Sequence, residues 1–462
     1  MDTLADIQQD FIDILGEQYV AWADDSLSAY YATDQTGNFS GSPQWILFPK
    51  NTEEVSQIVK ICHEQHIKVL VRGGGTNVTG ATVPFSSCVI LSTKRLNKII
   101  EINPIDRLII AEAGVITHDL QEAVQAYGLA FPQNISSSQN SFIGGNIAVS
   151  SGSPRSLKYG TTKDYVLNLE VVLPNGDIIW TGKNVSKNAT GYNLSQLFVG
   201  SEGTLGIITK VVLKLIPIPQ CRCVTLIPFQ DLDALFKSVN RIFLQDLTPS
   251  ALEFVDHDGL PFVKQLAPGL FNYSQLAGLL WVEFDANSQE ALDGEFRTFT
   301  EQILINHPDA IPSFTPSEIE KLWNLRMKLG YAIQAYSAFH DIDMVVPRSK
   351  VSHLYWGIKE IAKQFGLKSI AFAHIGNGNM HVNLLKEQLS DETWQTKLPQ
   401  ALQTIYELTA KLGGSISGEH GVGHIQKQYL STSISRHELA LMKQLKQLID
   451  PHNILNQGLL FE

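Results

Sequence analysis

The alternation of apolar and polar positions divides the chain into two halves with different rhythms. Early on, Val55, Ile58, Val59 and Cys62 share one helical face behind Thr52 as N-cap, with Glu53 and Glu54 at the positive end. A strand over 68–72, a glycine turn and a strand over 88–91 follow, then a strand over 108–112 and a capped helix over 117–127. Between 167 and 180 two alternating apolar runs flank Pro174-Asn175-Gly176, which predicts a hairpin. A strand over 206–216 runs into Pro217 and Pro219, and the first domain boundary is placed there.

The second half predicts strands over 224–229, 251–256 and 279–284, with helices over 231–243, from about 288, and over 319–336. Short strands over 344–346 and 370–374 enclose a helix over 349–364. A strand over 381–385 and a helix over 392–412 complete the series. This strand and helix order predicts an α+β domain, an antiparallel sheet with helices on one face. A last helix over 437–449 ends at Asp450-Pro451.

Length fits this division, since 462 residues of which 44% are hydrophobic exceed a single simple core. With 35 Lys and Arg against 46 Asp and Glu, the charge of −11 argues against a nucleic-acid partner. No run approaches the ~20 apolar residues of a membrane helix, so an integral membrane protein is not expected. The first basic residue is Lys50, which leaves neither a secretory nor a mitochondrial signal, and a cytoplasmic location is expected. Cys62, Cys88, Cys221 and Cys223 form no disulfide framework, and Cys221-Arg222-Cys223 reads as two exposed or edge-strand thiols.

Chemistry first appears at Arg72-Gly73-Gly74-Gly75-Thr76-Asn77-Val78-Thr79-Gly80. Adjacent glycines expose backbone N–H groups and permit positive φ, so this loop can wrap a pyrophosphate, with charge from Arg72. Val78 replaces the third glycine of a dinucleotide fingerprint, and Ala81 stands where a nucleotide P-loop needs lysine. Taken alone, the loop is equally a tight turn. Residues 132–165 then form a polar, glycine-rich tract, with Phe142, Ile143 and Ile147 spaced as if pinned to a wall. A third tract runs from Lys187 to Gly206. Three such loops point to a long phosphorylated ligand in a groove.

The motifs RGGGT, IGGN, YGTT-x-D and GSEGTLGIIT, in this order, resemble the FAD-binding domain of vanillyl-alcohol-oxidase-like flavoproteins. The nearest branch in wording contains D-lactate dehydrogenases, D-2-hydroxyglutarate dehydrogenase and the glycolate oxidase D subunit. The resemblance implies a two-subdomain FAD-binding domain over 1–219 and a substrate or cap domain over 220–430. A segment over 431–462 would then return to the first domain. It implies that Gly73, Gly74, Gly75, Thr76, Asn77 and Gly80 hold the pyrophosphate. Gly144, Gly145, Asn146, Tyr159, Gly160 and Thr161 would line the flavin and ribityl side, and Glu202, Gly203 and Ile208 the adenine and ribose end. Asn456, in Asp450-Pro451-His452-Asn453-Ile454-Leu455-Asn456, would return to the flavin. No histidine lies between His66 and His118, so non-covalent FAD is expected.

A second cluster lies in the other half. His374 ends one strand and His381 opens the next across a glycine turn, so a hairpin can bring both imidazoles to one end of a sheet. Ser417-Gly418-Glu419-His420-Gly421-Val422-Gly423 adds an acid and a base on a glycine-flanked loop. Two histidines and a carboxylate suit zinc or another divalent ion with an open position. Either histidine alone reads as structural; the four together point to function.

By the resemblance, His374, His381 and Glu419 bind the metal, zinc first with manganese or iron as alternatives, and His420 is the catalytic base. Arg326, in Trp323-Asn324-Leu325-Arg326, would grip the substrate carboxylate. Asn377 stands where the family usually has Asp, and His340 where many members carry a substrate-binding lysine, which disfavours a dicarboxylate substrate. The expected activity is oxidation of a small D-2-hydroxy acid such as D-lactate to the 2-oxo acid by hydride transfer to flavin. The electron acceptor is left open, and a homodimer is compatible. The alternatives are a flavin subunit of a glycolate-oxidase-like complex and, from another class, a zinc hydrolase.

Overall fold

A computed structural model describes residues 3–22 and 26–461. The chain divides into two compact units, one of residues 1–152, 161–217 and 419–462 and one of residues 153–160 and 218–418.

Among the described residues the first unit holds two larger sheets and a two-stranded pair, Leu129–Ala130 with Ile216–Pro217. In the smaller of the two larger sheets, Trp45–Leu47, Val89–Ser92 and Val69–Arg72 run parallel, and Val20–Trp22 adds antiparallel at the edge. Helix Thr52–Glu64 covers this sheet with the face expected, Val55, Ile58, Val59 and Cys62 being fully buried. Its cap is Asn51, however, whose side chain accepts the Glu54 N–H at 2.8 Å. Thr52 is already helical, and its hydroxyl donates to Glu170. Helix Leu4–Leu15, which the sequence reading left unplaced, closes the same core through Ile7, Phe11 and Leu15.

The larger sheet of this unit is antiparallel, in the order Ile99–Asn103, Leu108–Glu112, Ile207–Lys214, Val166–Val172, Ile178–Trp180. The expected hairpin is its last pair, with Val172 opposite Ile178. Helix Thr117–Gln125 has no side-chain cap, since Ile116 holds that position. The polar tract around 132–165 contains a short helix, Ile143–Val149, held down by the fully buried Ile143 and Ile147. Tertiary packing here overrides the poor helix propensity of Gly144-Gly145-Asn146.

The second unit is built on one seven-stranded antiparallel sheet. Its order is Ile311–Ser313, Cys221–Phe229, Gly278–Ala286, Ala251–Asp256, Lys368–His374, Asn379–Leu385, Phe339–Val345. Helices Leu232–Phe243, Gln289–Gln302 and Val351–Phe365 cover one face, through ring contacts such as Phe236 with Phe254 and Phe299 with Phe284. On the opposite face, helix Pro316–Tyr336 packs Ile319, Leu322 and Trp323 against Val224, Leu226 and Trp281. Strand Cys221–Phe229 is paired on both sides, so Cys223 is an interior residue, and burial pushes its thiol up to about 12.

Candidate active site

In the first unit, the glycine loop and the IGGN tract lie side by side. A Cβ at Gly74 would stand 2.1 Å from the Asn140 carbonyl oxygen, and one at Gly73 would stand 3.7 Å from Phe142 Cβ. Gly75 and Gly80 both have positive φ, at 72° and 73°. In front of Gly145 there is open space, since a Cβ there would meet nothing within 4 Å. Two loops rich in N–H groups beside unfilled space fit a pyrophosphate-bearing cofactor such as FAD.

Arg72 has a different role from the one expected. Its guanidinium is 2% exposed and donates to the carbonyls of Tyr30, Thr33 and Thr82 at 3.1, 2.7 and 2.9 Å. It braces the loop from behind instead of offering its charge to a phosphate.

The C-terminal segment is pinned beside this loop. The Val69 N–H donates to the Ile454 carbonyl at 2.7 Å, and the Asn456 N–H to that of Val69 at 2.8 Å. Asn456 Oδ1 accepts the Val71 N–H at 2.8 Å, while its Nδ2 donates to the Glu202 carbonyl at 2.6 Å. Asp450, buried at the helix end, accepts the N–H groups of Ile454 and Leu455 and pairs with Lys446. The Asp-Pro sequence is thus a brace that sets up the following turn.

The Glu202 carboxylate accepts the N–H groups of Val422 and Gly423 at 2.7 and 2.9 Å, and burial pushes it up to about 7. Asn77 Nδ2 donates to the His420 carbonyl at 3.3 Å, and the N–H groups of His424 and Ile425 donate to that of Thr79. The glycine loop, the Glu202–Gly203 turn, Asn456 and the His420 loop therefore meet in one cluster. Ile208 is buried in strand Ile207–Lys214, opposite Val171. Thr161 caps the turn Thr162–Tyr165 together with Asp164.

In the second unit, the expected hairpin forms. His374 lies opposite Asn379 and His381 opposite Phe372, which puts both imidazoles on one face, with ring centroids 5.1 Å apart. Coordinating nitrogens of the two lie within 4.8 Å of each other. His374 Nδ1 lies 2.7 Å from Glu253 Oε1, a bond that fixes the ring and directs Nε2 toward coordination. Arg326 pairs with the other oxygen of Glu253 at 2.7 Å and stacks over Phe372, while its buried Nε has no acceptor among the described residues.

On the far side of His381, Asp343 holds the Gly418 N–H at 3.0 Å and Asn379 Nδ2 at 2.7 Å, with His381 Nδ1 at 3.9 Å. Gly418 is the residue before Glu419. Tyr159, expected on the flavin side, donates its hydroxyl to Asp285 at 2.8 Å, beside the Lys158–Asp285 and Arg155–Glu283 pairs. Gly160, with φ of 80°, ends that short turn.

Residues 43–182 match the FAD binding domain family, and residues 218–460 match the FAD linked oxidases, C-terminal domain. The chain is 35% identical to the glycolate oxidase subunit GlcD of Bacillus subtilis, over 99% of this chain and 97% of that one. The chain belongs to the FAD-linked oxidases. Among other relatives of this FAD-linked oxidase are a D-lactate dehydrogenase of Anaerostipes hadrus and a D-2-hydroxyglutarate dehydrogenase of Stutzerimonas stutzeri. The first is 33% identical over 90% of this chain and 89% of its own. The second is 32% identical over 95% of each. The fold matches p-cresol methylhydroxylase with a TM-score of 0.82 at 17% identity, over 98% of this chain and 96% of that one.

The sequence reading missed Glu253, Asp341 and Asp343 in this FAD-linked oxidase. Their signal was an acid at an inward position of an apolar strand, where an ionised group persists only with partners. His340, which stands where many members carry a substrate-binding lysine, lies opposite Leu384, and strand alternation puts it on the face away from His381. Burial holds the His340 imidazole down at about 4, so it is neutral at ordinary pH. Asp341 occupies the His381 face instead, with a carboxylate oxygen within 4.8 Å of that ring's nitrogen.

Proposed function

We propose that this FAD-linked oxidase converts a small D-2-hydroxy acid of about the size of D-lactate into the 2-oxo acid. The observation that carries the reading is the buried His374–His381 pair backed by Glu253 and Arg326 on one sheet face. FAD is held non-covalently by Gly73, Gly74, Gly75, Thr76 and Asn77 together with Gly144, Gly145 and Asn146. His374, His381 and Glu419 hold a divalent cation, with zinc preferred. Glu419 is joined by one peptide bond to Gly418, which Asp343 holds.

Bound FAD supplies the hydride acceptor, and the cation supplies Lewis acidity at the substrate hydroxyl. Arg326 binds the substrate carboxylate, its Nε being a buried donor without an acceptor among the described residues. His420 takes the hydroxyl proton as the C2 hydrogen departs with its electron pair, which leaves a C=O bond and balances the oxidation. Arg72, Asn456 and Asp343 position these groups without touching substrate. This reading makes the zinc hydrolase untenable, because an FAD-binding family covers residues 43–182.

The test is an anaerobic absorbance spectrum of the purified yellow protein with D-lactate, L-lactate, glycolate and D-2-hydroxyglutarate. D-Lactate should bleach the flavin, and His420→Ala should stay folded and yellow without bleaching. Bleaching by the L-acid alone, or normal bleaching of His420→Ala, would overturn the assignment. The similarity to GlcD, named as a subunit, favours a second reading, a flavin subunit that turns over only with partner proteins. Bleaching by glycolate together with turnover restricted to a co-purified complex would select it.

A further inference from the structure

The geometry points to Glu202 as a positioning residue for His420, a role for its carboxylate other than contact with the cofactor. This rests on the reading of His420 as the base. Both carboxylate oxygens are occupied, Oε1 by the Val422 N–H and Oε2 by the Gly423 N–H, the second and third residues after the base. Two charge-assisted bonds to adjacent N–H groups fix the direction in which the loop leaves residue 421.

The glycines of this loop follow from that contact. A Cβ at Gly421 would stand 2.9 Å from Glu202 Oε1, and one at Gly423 would stand 2.2 Å from Thr79 Oγ1. Both also have positive φ, at 84° and 56°, where other residues are strained. Glu202 is itself held at a φ of 51°, its carbonyl bonded by Asn456. Gly203 follows at 71°, where a Cβ would come within 2.6 Å of the Asn456 amide nitrogen. Asn77 closes the other end of the loop at the His420 carbonyl. The base therefore hangs from a backbone clamped by groups drawn from the loops that hold the flavin, and Glu202 is the only charged member of that clamp among the described bonds.

The experiment compares wild-type, Glu202→Gln and His420→Ala holoenzymes for FAD content, KM, and the bleaching rate at saturating D-hydroxy acid. The amide has one acceptor for two N–H donors. Loss of one charge-assisted bond corresponds to a bleaching rate about 10- to 100-fold slower. FAD content and KM should stay within about twofold of wild type, because the bonds that change run from Glu202 to the N–H groups of Val422 and Gly423. A wild-type bleaching rate in Glu202→Gln would overturn the proposal. So would lost FAD with normal turnover of the flavin that remains, which is the signature of a cofactor contact. Normal bleaching of His420→Ala would instead overturn the base assignment itself. If Glu202→Gln does not fold, Gly421→Ala presses on the same contact from the loop side. It should show the same split between rate and KM, and unchanged rates would count equally against the role.

Discussion

Replacing Glu253 by glutamine tests the scaffold of the second unit most directly. The carboxylate has no solvent exposure and serves two partners at once, His374 Nδ1 at 2.7 Å and Arg326 at 2.7 Å. Removing one member of a buried ion pair costs about 3–5 kcal/mol, because the other charge stays buried and uncompensated. Glutamine keeps one oxygen, and one retained hydrogen bond to a charged group returns about 1.5–3 kcal/mol. The difference leaves an expected loss of about 2 kcal/mol. Urea unfolding followed by intrinsic fluorescence measures it, provided that the dependence on denaturant is unchanged. Arg326→Met in the same chain should recover most of the loss, since no unpaired buried charge then remains. Affinity of the proposed cation site, probed with zinc by chelator competition, should fall about 10- to 100-fold, because His374 loses the acceptor that orients its ring. A Glu253→Gln protein with unchanged stability and unchanged zinc affinity would refute the bridging role.

Two further expectations concern the first unit. Gly145→Ala puts a methyl group into open space on a helix, so the cofactor-free protein should gain about 0.5–1 kcal/mol. FAD binding, followed by flavin fluorescence quenching, should weaken at least tenfold, and unchanged affinity would show that the cofactor lies elsewhere. Burial raises the Glu202 carboxyl to about 7, so the folded state holds it protonated below that pH and as the carboxylate that accepts both N–H groups above it. Its contribution is complete below the ordinary carboxylate range and is lost as pH rises through 7. Wild type should therefore lose stability relative to Glu202→Gln between pH 5 and pH 8, on the order of 1–3 kcal/mol. Parallel unfolding curves across that range would contradict the buried titration.

Much of the architecture was legible because single elements carry strong local signals. The Val55–Cys62 face, the Pro174-Asn175-Gly176 hairpin and the His374 to His381 turn all formed where periodicity and turn chemistry placed them. Helix Ile143–Val149 was hidden because its Gly-Gly-Asn core has weak propensity and depends on two isoleucines meeting a distant wall. Glu253 and Asp343 were invisible for a related reason. Each is one acid in a strand, and its partners come from elements 36 to 121 residues away. Arg72 was assigned by charge alone, whereas its role depends on carbonyls brought to it by residues 30–33 and 82.

The path of the backbone limits how this protein can be taken apart. Residues 153–160 belong to the second unit although they precede its main stretch, 218–418, by some sixty positions. That octapeptide carries Arg155 and Lys158, which neutralise Glu283 and Asp285 in the interior of the large sheet. A fragment cut at Ile218 and Gly418 would keep every strand and both imidazoles yet bury two acids without their counterions. The eight-residue excursion ties the halves into a single folding problem, and a gene fusion or domain exchange made at the obvious seam would sever it.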